Sequence, residues 1–197
     1  MMAKHVLTVT LALAALALAA LAPAARADEP QVALGAEVGA AGGGGATPGG
    51  MRLGGRYLYR MADRDWFDSG VAFTFGGPGV GCGRTPPDGM RCDHGVADGF
   101  AGDLSLGVRR DLRGQGAFTP FVRGGLFGRV LRFAADDVTG AALGVDLGAG
   151  VAAAVGRDVA LVAGASGFAG RGWFGGGVGG AGQLGMVVSV GAELRLK

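Results

Sequence analysis

The sequence predicts an all-β fold, a closed barrel of eight antiparallel up-and-down strands, on three observations. Apolar residues recur at every second position in eight separate stretches. The connections between those stretches alternate between short turns and longer, glycine-rich loops. Glycine accounts for 43 of the 197 residues, far above the usual ~7%, yet the chain is neither hydrophilic nor highly charged, so disorder does not explain it.

The chain opens with a leader. Lys4 lies in the first five residues, Val6 to Leu21 is an apolar run, and Ala25-Arg26-Ala27 puts small residues at both positions a signal peptidase reads. Residues 1–27 are therefore expected to be a cleaved secretory signal. The run is shorter than the roughly 20 residues of a spanning helix, and no cysteine follows the cleavage point to mark a lipoprotein. Cleavage takes Lys4 and Arg26 from the 18 basic residues and none of the 16 acidic ones, leaving a formally neutral chain. Its charge therefore gives no reason to expect a nucleic-acid partner. Residues 28–197, roughly 170 residues, suffice for one domain.

Each strand is read from its period. Residues 31–40 set Val32, Leu34, Ala36 and Val38 against Ala33, Gly35, Glu37 and Gly39. Residues 51–61 set Leu53, Tyr57, Tyr59 and Met61 against Arg52, Arg56, Leu58 and Arg60. Residues 66–75 set Phe67, Val71, Phe73 and Phe75 against Asp68, Gly70, Ala72 and Thr74. Residues 98–109 set Phe100, Leu104, Leu106 and Val108 against Asp103, Ser105, Gly107 and Arg109. The alternation returns near 117–130, 142–155, 159–169 and 183–196.

Segments of about ten residues match the roughly 9–11 needed to cross a bilayer at a tilt. An even number of strands closes without an unpaired edge in lipid. Residues 62–65, 110–116 and 156–158 read as short turns, and 41–50, 76–97, 131–141 and 170–182 as long loops, the asymmetry of a membrane barrel with periplasmic termini. The non-aliphatic faces, mostly Gly, Ala and Ser, would make a poor solvated exterior, so a soluble ligand-carrying barrel fits less well. They suit a narrow lumen instead. Tyr59, Phe67 and Phe118 beside the short turns, and Phe75, Phe100 and Phe168 beside the long loops, read as two interfacial girdles.

Leader, eight segments and loop asymmetry together resemble the small bacterial outer-membrane β-barrels of the OmpA/OmpX type, over essentially the whole mature chain. The last segment adds a narrower match: Ser189, Gly191, Leu194 and Leu196 fit the polar-x-Gly-x-x-apolar-x-apolar pattern of that family's C-terminal assembly signal. Here Leu196 stands where an aromatic is usual, and Lys197 follows it. The resemblance implies an eight-stranded antiparallel up-and-down transmembrane β-barrel after a cleaved signal peptide, located in the bacterial cell outer membrane. It also implies recognition by the barrel-assembly machinery and contact with outer-membrane lipid and lipopolysaccharide. No separate periplasmic domain follows, so cell-wall tethering is not expected.

The expected lumen carries Glu37, Arg52, Arg56, Arg60, Asp68, Asp103, Arg109, Arg123, Arg129, Asp146, Glu193 and Arg195. Buried charges must be paired, so this set reads first as a plug of salt bridges and second as the lining of a narrow solute or ion channel. Cys82 and Cys92 share the longest loop and are expected to form a disulfide. His94 and Asp93 are too few to hold a metal, and no cofactor is expected. His94 is the only histidine after the leader and has no serine beside it, so catalysis, including lipid modification, is not expected. The glycines of 76–83 precede no helix and carry no phosphate-binding meaning. Trp173 and Phe174 read as loop residues, and Arg84, Arg91, Arg132 and Arg171 as outer-surface cations that either solubilise the loops or meet phosphates. The expected molecule is a monomeric barrel with a structural or surface-interaction role.

Overall fold

The computed structural model describes residues 30–45, 47–76, 82–85, 89–92, 99–114, 116–133, 137–175 and 179–196. Residues 1–27, His94 and Lys197 lie outside the described residues.

Ten strands follow in chain order: β1 (Val32–Gly45), β2 (Gly50–Arg60), β3 (Asp65–Phe75), β4 (Cys82–Thr85), β5 (Gly89–Cys92), β6 (Gly99–Asp111), β7 (Phe118–Phe133), β8 (Val138–Ala154), β9 (Val159–Phe174) and β10 (Gly179–Leu196). Eight of them close a barrel in the order β1-β10-β9-β8-β7-β6-β3-β2, while β4 and β5 form a separate hairpin. Every pairing is antiparallel, and β1 closes on β10 in a continuous register from Val32 opposite Leu196 to Gly45 opposite Gln183. Closure matters because it leaves no strand edge with unpaired N–H and C=O groups.

Alternation assigns each side chain to a wall. Leu34, Val38, Leu53, Val71, Phe73, Leu126, Leu147, Met186 and Val190 are exposed on the outer face. Charged and small residues turn inward, with Asp68, Asp103, Arg109, Arg129 and Glu193 all buried. An apolar outside and a charged inside is the reverse of a soluble protein and matches a barrel bathed in hydrocarbon. The glycines fit this arrangement. A Cβ on Gly150 would stand 2.4 Å from Phe121 Cζ, and one on Gly185 would stand 2.5 Å from Phe168 Cζ, so inward glycines make room for aromatic rings in a narrow lumen.

Strand boundaries depart from the sequence reading at one end of the barrel. β1, β7, β8, β9 and β10 run on to Gly45, Phe133, Val138, Phe174 and Gly179, through residues that read as long loops. The alternation continues there on glycine, alanine and arginine, and pairing satisfies their backbone groups. Inward Leu131, Phe133, Val138, Ala142 and Phe174 meet Ala101 in an apolar cluster that rewards the extension. Three of the four expected long loops therefore shrink to 46–49, 134–137 and 175–178, and the remaining one carries the β4–β5 hairpin. The opposite end keeps tight turns, such as Met61 N–H donating to the Asp65 carbonyl at 2.9 Å and Val155 N–H to that of Val159 at 3.0 Å.

The girdle reading needs one correction. Phe168 shares the inward parity of Gly164 and Ser166 on β9 and is buried edge-on to Phe127, with ring centroids 5.7 Å apart. Trp173 and Phe174 also belong to β9 rather than to a loop. Trp173 faces outward and exposed, while Phe174 is buried 5.9 Å from Phe133.

Candidate functional site

The lumen is built in layers. At the end where β1 begins and β10 ends, Ala33, Leu58 and Trp66 form a small apolar cluster. Trp66 Nε1 donates to Asp111 Oδ2 at 3.1 Å, and the Arg60 guanidinium lies 4.8 Å from the Trp66 ring.

The next layer joins Arg109 on β6 to Glu193 on β10, both almost wholly buried. Arg109 also donates from Nε to Asp111 Oδ1 at 2.9 Å and lies 4.0 Å over the Phe121 ring. Arg195 approaches the other oxygen of Glu193 at 3.9 Å.

In the middle, Arg56 on β2 grips Asp68 on β3, with Nε to Oδ1 at 3.1 Å and Nη2 to Oδ2 at 2.5 Å, and stands 3.8 Å from Glu37. Ser189 donates to Glu37 Oε2 at 3.2 Å. Arg123 on β7 faces Asp146 on β8 at 3.4 Å and donates to Ser166 Oγ at 3.3 Å.

Above them, Asp103 takes two arginines. Arg129 donates from Nε at 2.6 Å and Nη2 at 3.1 Å, and Arg52 binds from the other side while donating to Thr74 Oγ1 at 3.1 Å. The Arg129 guanidinium lies 5.2 Å from the Phe127 ring and 4.4 Å from that of Phe168. Its Nη1 shares Gln183 Oε1 with the hydroxyl of Thr47. The Phe133–Phe174 cluster caps this layer.

Charged side chains thus occupy the lumen among three apolar clusters, one toward each end and one of Ala41, Phe127, Phe168 and Val187 between them. Among the described residues, voids of about 30, 30 and 20 Å³ lie between these charges, and Arg56 lines all three. Such voids have room for about one or two waters apiece. Pairing matters here, because a lone buried charge costs several kcal/mol.

The sequence reading names all the charged groups of these layers except Asp111, which sits one inward step past Arg109, where an end of strand reads as turn. It sets Thr74 on the inward face without giving it a role, and it misses the neutral partners Thr47, Ser166 and Gln183 and the rings that receive the guanidinium groups. Ser189 and Gly191 face inward, where a Cβ on Gly191 would meet the Ala36 carbonyl oxygen at 2.2 Å, and Leu194 and Leu196 face outward. The hairpin register sets Cys82 directly opposite Cys92, though their side chains, like those of Arg84 and Arg91, lie outside the described part. Exposed Arg132 pairs with Asp137 at 2.7 Å, and Arg171 is exposed on the outer face of β9. Among the described residues, no group of three or more His, Cys, Asp or Glu is placed to hold a metal.

Solved structures share this architecture. The crystal structure of Neisserial surface protein A is 14% identical, with a TM-score of 0.58, over 84% of this chain and 97% of that one. The N-terminal β-barrel domain of Pseudomonas aeruginosa OprF is 16% identical, with a TM-score of 0.52, over 84% and 100%. The outer membrane protein AlkL, solved in lipid bilayers, is 14% identical, with a TM-score of 0.54, over 89% and 95%. No protein-family model matches the sequence, and no curated protein is significantly similar to it.

Proposed function

We propose that this chain, which has the fold of small eight-stranded outer-membrane barrels, is a non-conducting integral protein of the bacterial outer membrane with a structural or surface-interaction role. One observation carries the reading: among the described residues the lumen is filled by paired charges interleaved with apolar clusters, with voids of about 20–30 Å³ between them. An interior of this kind stabilises a barrel and offers no continuous aqueous path. The apolar outer wall supports the membrane location, and β10 is the strand that would carry the assembly signal to the barrel-assembly machinery. The hairpin of β4 and β5, with a Cys82–Cys92 disulfide holding its ends together, would be the element presented at the surface.

A narrow channel is the second reading, favoured by one feature. Two of the voids are separated by Arg56 and Arg123, long side chains that can move. Planar-bilayer recording of the purified protein separates the readings. A silent barrel supports the sealed one, and discrete openings support the channel.

A further inference from the structure

The outer wall is not uniform. On β9 the outward residues from Leu161 onward are Ala163, Ala165, Gly167 and Ala169, a floor with almost no side chain. Beside it stand Leu143, Val145 and Leu147 on β8, and Leu184, Met186 and Val188 on β10. The registers set Leu147 and Met186 on either side of Gly167, and Val145 and Leu184 on either side of Ala169. With strands ~4.8 Å apart, these two ridges stand ~10 Å apart. Their side chains are bare on the flank that faces the floor: Leu147 is 70% exposed and Leu184 63%. An open groove of about 770 Å³ is lined here by Val145, Leu147, Gly167, Ala169, Leu184 and Met186, and it reaches past β10 to Gly42 on β1.

Barrel packing does not require so low a floor. The lumen glycines are hemmed in, as at Gly150, but a Cβ on Gly167 would meet only the Gly185 carbonyl oxygen, at an ordinary 3.8 Å. Gly42, which also lines the groove, has nothing within 4 Å of where its Cβ would be. A larger residue at Gly167 would favour the strand and add apolar surface. The gap therefore belongs to the outer surface, and the fold does not dictate it.

Chemistry changes abruptly at the loop end of the floor. Arg171 is the next outward residue of β9 after Ala169, and among the described residues it has no ion-pair partner. Its guanidinium leans toward the loop end, with Nη2 3.2 Å from where a Cβ on Gly180 would stand. An arginine at the hydrocarbon boundary bends toward the headgroups in this way. Trp173 follows on the same face, exposed, where an indole marks the interface. An apolar trough ending in a guanidinium and an indole matches a single lipid, hydrocarbon below and phosphate above.

We propose that this trough holds one phosphate-bearing lipid, with an acyl chain lying along Gly167 and Ala169 between the β8 and β10 ridges and its phosphate against Arg171. The proposal rests on the reading that the outer wall faces lipid. Native mass spectrometry of the folded, detergent-purified full chain supplied with phosphatidylglycerol, lipid A or diacylglycerol tests it, with heat-dependent gel migration reporting that each variant is folded. Wild type is expected to retain one phosphatidylglycerol or lipid A per barrel. Gly167→Leu fills the trough and should lower retention of all three lipids on the order of tenfold, whereas Gly167→Ala should keep it. Arg171→Gln should lower retention of the phosphate-bearing lipids and leave diacylglycerol unchanged. Retention equal in folded Gly167→Leu and wild type overturns the proposal. So does a dimer in place of the lipid adduct, dissociated by Gly167→Leu, which would assign the trough to a second copy. A chain that stays soluble without detergent would defeat the membrane reading itself, a different outcome from either.

Discussion

Arg109 and Glu193, 84 residues apart in sequence, meet across the full width of the lumen, since β6 and β10 stand on opposite sides of the eight-strand ring. Both are almost wholly buried, and each is the other's nearest opposite charge, with Asp111 beside Arg109 and Arg195 beside Glu193. Removing one partner should therefore cost more than removing both. Arg109→Met is expected to destabilise the folded barrel by about 3–5 kcal/mol, measured by urea unfolding in lipid vesicles. Arg109→Met combined with Glu193→Leu should recover part of that loss and not all of it, because Asp111 then loses Arg109 and Arg195 loses Glu193. A double-mutant coupling under about 0.5 kcal/mol would mean that the cross-lumen pair contributes nothing.

Glycines should divide into two classes by the wall they serve. Gly150→Val drives a side chain into Phe121 and the Ala163 carbonyl oxygen, each 2.4 Å from the new Cβ. A loss of at least ~3 kcal/mol is expected, with little folded barrel on unheated gels. Gly182→Ala, where nothing lies within 4 Å, should be neutral or stabilise by up to about 1 kcal/mol. Equal losses at the two positions would show that glycine serves assembly in general and not the fit of rings in the lumen.

The sealing layers should act in series. Arg56→Ser with Asp68→Ser removes a buried pair together and enlarges the voids, yet the Phe133–Phe174 and Leu58–Trp66 clusters stay in place toward the two ends. That double variant is expected to stay silent in planar bilayers. Adding Trp66→Ala and Phe174→Ala, in protein shown to be folded, should produce openings. Conductance in the first double variant would place the seal in the charges alone.

The walls were legible in the sequence and the contacts were not. Period two puts Arg56, Asp68, Asp103, Arg109, Arg129 and Glu193 on one side once the outer face is identified. Eight up-and-down strands already set the fourth, with Arg109, opposite the eighth, with Glu193, but which side chains meet depends on register and reach, which their spacing does not give. Asp111 and Trp66 escape notice because each ends a strand, where alternation has too few repeats to read. Phe168 misleads because an aromatic near a loop looks interfacial, whereas its parity with Ser166 places it inside. The extensions of β7, β8 and β9 hide behind glycine and charge, and only the burial of Phe133, Val138 and Phe174 explains them.

The hairpin register makes the disulfide directly testable. Cys82 stands opposite Cys92, with Arg84 and Arg91 between them in the chain. Trypsin cleavage after both arginines should leave the two cysteine peptides joined in the non-reduced protein and release them on reduction. Separate peptides without reductant would exclude the bridge. Closing so short a loop should contribute no more than about 3 kcal/mol, so Cys82→Ser with Cys92→Ser is expected to keep the barrel folded.

The central claim, that hydrocarbon bathes one side of every strand and the charges line the other, is tested most directly by a nitroxide scan. Single labels placed from Gln183 to Val190 on β10 in lipid vesicles, in a background lacking both native cysteines, report their exposure to oxygen dissolved in the bilayer. Accessibility is expected to be high at 184, 186, 188 and 190 and low at 183, 185, 187 and 189, with a period of two. Uniform accessibility, or high values at Gln183, Val187 and Ser189 instead, would contradict it.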